Sequence, residues 1–330
     1  MKVSILTITY NHERYITQAI ESILVQKVNF DYEIVIGEDC SKDSTRGIVV
    51  DFQKRYPGKI RLLLREQNLG AIRNLVQTLH ACQGEYVAIL EGDDYWTSPH
   101  KLQKQVAFLD EHPECSMCFH DATIIHEDGS REPRRYCRVD QKEIPTLEDL
   151  LVINFIPTCS VMFRRGLVGN FPDWFYTLKM GDWPLHILNA QHGKIGYINE
   201  VMGVYRVHSG GIWTCGGKAW SLDDYIARTK YSDIDFYEAI NRHLGYKYNN
   251  LIRNQISDRS YSLMKIYRRR EDWKGMRKYL LKAFFLRPLN GRVSLKLLVQ
   301  SLLVSSFPGA YRRYHRLKDW HKNLKPESET

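Results

Sequence analysis

The chain has 330 residues, 43% of them hydrophobic and 26% charged, enough to bury a full core in one large domain with an appendage. Its seven cysteines are odd in number and follow no framework spacing, which argues against a disulfide scaffold and for reduced thiols in a cytoplasmic protein. The formal charge of +9 is uneven: from Tyr261 onward 17 Lys/Arg face five Asp/Glu, so the rest carries a small net negative charge, which excludes a surface generally coated for nucleic acid and points to one local anionic partner.

Met1-Lys2-Val3 runs straight into a strand-like segment and then the polar Tyr10-Asn11-His12-Glu13-Arg14, so no signal peptide is expected. Val3 to Thr9 is a β-branched apolar strand, and Glu13 to Val25 follows with Ile16, Ala19, Ile20, Ile23 and Leu24 at helical spacing. A second cycle comprises the strand Glu33 to Ile36, the loop from Glu38 to Thr45, and a helix from about Ser44 to Tyr56 that Pro57-Gly58 stops. The strand Ile60 to Leu64 and a helix over Ala71 to Cys82 lead to the strand Tyr86 to Leu90. Strands alternating with helices at this spacing predict right-handed βαβ crossovers and a parallel sheet, with the ligand at the strands' carboxyl ends.

Three polar loops converge there: Thr9-Tyr10-Asn11, Glu38-Asp39 and Glu91-Gly92-Asp93-Asp94. The last packs three carboxylates into four positions, where they repel one another unless something positive sits among them. Hard oxygen ligands suit Mg²⁺ or Mn²⁺ better than zinc. The competing reading is an acidic turn in which Asp93 or Asp94 caps the next helix. Neither GxGxxG nor GxxxxGK[ST] occurs in these loops, which disfavours a dinucleotide or P-loop site.

Beyond the acids, a helix from Pro99, capped by Ser98, ends before Pro113; the strand Cys115 to Ile125 and a hairpin signal at Asp128-Gly129 follow, then an exposed loop from Arg131 to Arg138. Cys115 and Cys118 form the one CxxC, and residues three apart on a strand face opposite ways, so the pair reads as core. Thr146-Leu-Glu-Asp149 is a capping-box-like start for a short helix, Asn154 to Phe163 returns as strand, and Asp182-Trp183-Pro184 opens an apolar helix through Leu188. Gly196 to Tyr205 reads as a strand, while His12, His120 and His126 read as structural. From Ala219 onward the pattern is helical. No transmembrane helix is expected, since the apolar stretch Val293 to Tyr311 is broken by Lys296, Gln300 and Pro308. The last stretch mixes aromatic and aliphatic residues with Arg312, Arg313, Arg316, Lys318, Lys322 and Lys325, which fits an anionic membrane face or, equally, a helix packed on the domain with a solvated basic side.

The segments Val3-Ser-Ile-Leu-Thr-Ile-Thr-Tyr10-Asn11, Glu38-Asp39-Cys-Ser41-Lys-Asp43-Ser44-Thr45, Asn68-Leu-Gly70-Ala-Ile-Arg73-Asn74 and Glu91-Gly92-Asp93-Asp94, in this order and spacing, resemble glycosyltransferase family 2 over roughly residues 3 to 213. The resemblance implies a GT-A fold, an α/β architecture with a Rossmann-like mixed sheet flanked by helices. Residues 1–110 would hold the nucleotide-sugar, 111–217 the acceptor, and 218–330 would form a helical, basic extension. It implies inverting, metal-dependent transfer of a sugar from a nucleotide donor, UDP first, to a hydroxyl of a glycan or lipid-linked acceptor, as in cell-surface polysaccharide synthesis.

Carried over by position, Thr9, Tyr10 and Asn11 line the base pocket, Asp39 partners the base with Glu38 beside it, and Arg73 faces the diphosphate. Asp93 lies near the ribose and the metal, and Asp94 is the metal ligand. In Tyr205-Arg206-Val-His208, His208 lies near the metal or diphosphate, with Arg206 a further candidate and glycines 210, 211, 216 and 217 as loop hinges. Asp182 occupies the place of the general base, with helix N-capping as its rival role. Three departures stand out: Glu38 replaces the first of the usual paired aspartates, Glu91 the first acid of the DxD pattern, and Gly181 the acid before Asp182. They leave two rival classes, a catalytically silent sugar-nucleotide or glycan-binding protein and a metal-dependent nucleotidyltransferase.

Overall fold

In a computed structural model, which describes residues 1–211 and 234–287, the apolar run Val3–Thr9 forms β1, buried everywhere except at Ile8. It is followed by α1 (Ile16–Leu24), β2 (Tyr32–Glu38), α2 (Thr45–Arg55), β3 (Ile60–Leu64), α3 (Ala71–Ala81) and β4 (Tyr86–Ile89). Then come β5 (Tyr95–Trp96), α4 (Lys101–Glu111), β6 (Cys115–His126), β7 (Arg134–Arg135), α5 (Leu147–Val152), β8 (Met162–Arg164), α6 (Asp182–Ala190) and β9 (Lys194–Val207). The strands make one mixed sheet in the order β3-β2-β1-β4-β8-β6-β9-β5, with β7 on β6. β3, β2, β1 and β4 run parallel, with β2 and β4 buried throughout and β3 only half-buried at the sheet's edge, whereas β8 pairs antiparallel with both β4 and β6. Helices flank this sheet.

The fit of helix to sheet is set by few residues. Ile16, Ile20 and Ile23 of α1 are fully buried in the core against β1, β2 and β4, each removing apolar surface worth about 1.5–3 kcal/mol. α3 lies so close to β2 that a Cβ on Gly37 would stand 2.1 Å from Thr78 Oγ1. The Asn74 amide fills that contact by donating to the Gly37 carbonyl at 2.8 Å.

The chain divides into two compact units, Met1–Ala219 and Trp220–Thr330. In the second, α7 (Asp235–His243), α8 (Asn249–Arg269) and α9 (Trp273–Leu286) are described. The pair α8 and α9 packs through Tyr267 stacked on Tyr279 at 5.4 Å, and Asp272 caps α9 by accepting from the Gly275 N–H. The glycines at 216 and 217 and the basic tail from 288 onward, with its membrane and packing readings, lie outside the described residues. Among the described residues no helix is long and apolar enough to cross a membrane.

Several sequence expectations need correction. α4 starts at Lys101, not Pro99, and its N-cap is His100; Ser98 lies in the preceding turn, its hydroxyl accepting from His100 N at 3.4 Å and its carbonyl from Lys101 N at 3.3 Å. Only Met162–Arg164 of the expected strand from Asn154 pairs, because Pro157 opens a 3₁₀ turn over Thr158–Ser160. Within the loop from Arg131, Arg134 and Arg135 pair with β6, and Arg135 bonds the fully buried Asp121. Cys115 and Cys118 belong to the same core cluster because a register shift between Cys115 and Met117 interrupts the alternation; both thiols are free and buried.

Lys101 was not foreseen as core. It is fully buried, its ammonium sits 3.8 Å over the Trp96 ring, and Nζ has no hydrogen-bond partner among the described residues. Burial lowers its pKa to about 7 from the ordinary 10.5. Between those values the unfolded chain holds a proton that the folded chain does not, so wild-type stability rises with pH across that window and bears the full penalty below it. Lys101→Met, which keeps the volume, is expected to gain on the order of 1–3 kcal/mol at pH 7 and to flatten this slope. Chemical denaturation at several pH values checks it; parallel pH profiles for the two proteins would count against the buried amine as the cause.

Candidate functional site

Because β2, β1 and β4 are parallel neighbours, their carboxyl ends share one edge. The backbone prolongs the alignment, Asp39 N donating to the Thr9 carbonyl and Gly92 N to that of Ile8, both at 3.0 Å. After Asp94 the chain enters β5, whose antiparallel pairing with β9 sets Tyr95 opposite Val204 and Trp96 opposite Gly203. That register returns Arg206 and His208 to the acidic loop, more than a hundred residues away in sequence.

Asp93 Oδ2 lies 3.0 Å from His208 Nε2 and 3.7 Å from His12 Nε2. Asp94 is 2% exposed; its Oδ1 accepts from the Arg206 backbone N–H at 2.8 Å, and its Oδ2 is buried with no hydrogen-bond partner among the described residues. The Arg206 side chain clamps the loop, donating from Nε to the Asp93 carbonyl at 2.8 Å and from Nη2 to Gln18 Oε1 at 2.7 Å, with its guanidinium over the rings of Tyr15 and Tyr95. Burial and the charges of Asp93, Asp94 and Asp182 raise the Glu91 carboxyl well above its ordinary pKa; burial and Asp93 do the same to Asp94. Asp93 goes the other way: burial pushes it up, but the His208 hydrogen bond and the neighbouring imidazoles outweigh that. A cation relieves such repulsion, and the donors fit one, since single ligand atoms of Glu91, Asp93 and Asp94, and of His12, Asp93 and His208, lie within 4.8 Å of one another.

The other expected site residues fall into two groups. Tyr10 is exposed at the rim, and Arg73 is exposed on the first turn of α3, 5.8 Å from the Tyr176 ring centroid. Thr9 is buried beneath the loops. Asn11, Glu38 and Asp39 are engaged by the protein itself. Asn11 Oδ1 accepts from Lys42 N at 2.8 Å, and its left-handed φ of 55° turns the chain so that His12 faces back to Asp93. Glu38 is fully buried, accepting from Ser41 N and Arg46 Nε. Asp39 holds the start of α3 by accepting from Leu69 N at 2.8 Å and Gly70 N at 3.0 Å.

Asp182 is the first residue of α6, after an N-cap at Gly181 that makes no side-chain cap bond. It does not cap the helix. Its Oδ2 instead accepts from Asn154 Nδ2 at 3.1 Å, and it is half-buried, close enough for its charge to act on Glu91. One turn on, His186 is fully buried and its pKa is lowered by burial to about 4, which leaves a neutral ring behind Asp182. Sequence reasoning missed His12, read as structural, and Asn154, Tyr15 and Gln18. The signal for His12 was its place directly after the Thr9-Tyr10-Asn11 loop; the others are joined to the site only by long-range packing.

The Glycosyl transferase family 2 model matches residues 4–169, half of the chain. The chain belongs to that family. It is 29% identical over 235 residues to the putative teichuronic acid biosynthesis glycosyltransferase TuaG of Bacillus subtilis, covering 69% of this chain and 90% of TuaG. At 40% identity it matches uncharacterised proteins of Mycobacterium tuberculosis and M. bovis over 64% of its own length, and spans 60% of theirs. Among solved structures, Staphylococcus aureus TarS 1–349 in complex with UDP-GlcNAc superposes with a TM-score of 0.55 at 20% identity, over 86% of this chain and 91% of that one. The mannosyltransferase PcManGT of Pyrobaculum calidifontis, in complex with GDP-Man and Mn²⁺, gives 0.52 at 16% identity, over 99% and 88%. Both share the GT-A fold with this chain.

Proposed function

We propose that this family 2 enzyme transfers a sugar from a nucleotide donor, UDP-linked first, to a hydroxyl of a glycan or lipid-linked acceptor with inversion, in cell-surface polysaccharide synthesis on the cytoplasmic side. The observation that carries the reading is the meeting of Asp93, His208 and Asp94 at one sheet edge, with the Asp182 carboxylate beside them. Asp93, with His208 and the unpartnered Asp94 Oδ2, would hold the cation, Mg²⁺ or Mn²⁺, which neutralises charge on the departing diphosphate. Asp93 is the first of these acids, because it belongs to both donor groups and is more exposed than Asp94.

Tyr10 and Asp39 would meet the base, Asp39 through lone pairs left by its two backbone bonds, and Arg73 the diphosphate. Asp182 takes the proton of the acceptor hydroxyl as that oxygen bonds to the anomeric carbon and the bond to the diphosphate oxygen breaks on the opposite face. Asn154 fixes the orientation of the Asp182 carboxylate during that transfer. The polysaccharide assignment draws on the kinship with TuaG, and the UDP preference on the fold shared with TarS.

A screen of nucleotide sugars with the purified protein is expected to show nucleoside diphosphate release that depends on Mn²⁺ or Mg²⁺, faster with the right acceptor. Sugar transfer without diphosphate release would contradict the mechanism; tight donor binding with no turnover would favour the silent binder.

A further inference from the structure

The proposed cation site has a feature its acids do not explain, a second imidazole. His12 follows the left-handed residue Asn11, and its backbone N–H is pinned to Thr45 Oγ1 at 2.8 Å. The ring stands edge-on to His208 at 6.1 Å, with Nε2 3.7 Å from Asp93 Oδ2. Its Nδ1 is buried with no hydrogen-bond partner among the described residues. Room for it depends on Gly92, where a Cβ would stand 2.9 Å from His12 Nδ1 and 2.6 Å from Thr9 Oγ1. The glycine inside the acidic motif therefore admits this ring against the loop. On the other side of the same acids, the buried Asp94 Oδ2 also lacks a partner.

His208 is differently placed. Its Nδ1 accepts from the Gly210 N–H at 3.2 Å, so in this arrangement Nε2 carries the proton and donates to Asp93. A cation displacing that proton must first disturb the Gly210 bond, whereas His12 faces Asp93 across a longer, non-bonded gap. Two ligands on opposite sides of a cation bound at about 2.1 Å lie about 4.2 Å apart and adjacent ones about 3 Å; the 3.0 Å and 3.7 Å from Asp93 Oδ2 to His208 and His12 fall in that range, and ligand atoms of all three lie within 4.8 Å of one another.

Resting on the metal-dependent reading above, we infer that His12 is a nitrogen ligand of the donor-site cation and sets its selectivity, making the site a mixed imidazole and carboxylate one that favours borderline transition ions over Mg²⁺. Imidazole adds affinity along the order from Mn²⁺ to Co²⁺ and Ni²⁺ and little for Mg²⁺, which prefers oxygen and keeps its waters.

The test is calorimetric titration of the full chain with CoCl₂ and with MgCl₂ in the presence of UDP, together with the visible absorption of bound Co²⁺. His12→Ala is expected to weaken Co²⁺ binding at least about tenfold and Mg²⁺ binding less than about threefold, and to shift the Co²⁺ spectrum. His12→Gln keeps length and offers a hard oxygen, so it should hold Mg²⁺ as the wild type does while losing the Co²⁺ preference, which separates ligation from packing. Equal weakening of both ions, or an unchanged ratio in both variants, overturns the role of His12. If wild-type protein with UDP binds neither ion, the metal reading itself fails, a distinct result.

Discussion

Asp93→Asn is expected to lower the affinity for Mn²⁺ in the presence of UDP by more than about 100-fold and to abolish metal-dependent nucleotide release, while the fold persists. The substitution keeps the shape and removes the one carboxylate shared by the two donor groups, leaving His12 and His208 facing a neutral amide. The same change relieves electrostatic strain in the free protein, because the Asp93 charge is among the causes that raise Glu91 and Asp94. Against this stands the weakening of the hydrogen bond from His208, which the amide oxygen accepts without charge assistance, a loss of about 1 kcal/mol, so Tm should stay within a few degrees of wild type. Calorimetry with and without Mn²⁺, beside a thermal melt, reads both quantities. Asp94→Asn is the informative contrast: an amide oxygen can still accept from the Arg206 N–H, so its metal defect should be the smaller one. A larger metal defect at Asp94 than at Asp93 would return the principal ligand to Asp94.

Much of this site was legible because local sequence dictates where a parallel strand ends. Val3–Thr9, Tyr32–Glu38 and Tyr86–Ile89 are apolar runs that stop at polar residues, and βαβ chirality then forces their carboxyl ends together. The same reasoning could not see which polar side chains the protein would use on itself. Glu38 looked like a ligand-facing acid, but the Arg46 guanidinium and Ser41 N–H draw it inward, and Asn11 serves the loop at Lys42. His12 was misread for the converse reason: the left-handed turn at Asn11 and the space left by Gly92 are tertiary facts with no periodicity to betray them. Lys101 shows the limit of patterning most plainly. A lysine at the start of a surface-like helix carries no sign that Trp96, Cys118 and Cys159 will close over it.

Asp182→Asn should reduce turnover on the order of 10²–10⁴-fold while leaving donor and metal affinity nearly unchanged. The argument begins with what Asp182 is not. As the first residue of α6 it makes no capping bond, so the amide costs the helix little beyond a favourable charge at its N-terminus, about 0.3–1 kcal/mol. The bond from Asn154 Nδ2 can be kept by the amide oxygen, so the side chain should stay where it is. What disappears is the capacity to take a proton, since neither face of a carboxamide is basic near neutral pH. The neutral His186 one turn behind cannot substitute, because it is fully buried with a pKa lowered to about 4. Rapid-mix measurement of sugar transfer, with donor affinity measured separately, divides chemistry from binding. Asn154→Ala offers the graded counterpart: it leaves the carboxylate but frees its rotation, so its loss of turnover should be smaller than that of Asp182→Asn, with the pH profile retained. Near-normal turnover in Asp182→Asn would remove this residue from the proton-transfer step and leave the acceptor hydroxyl to be deprotonated by another group.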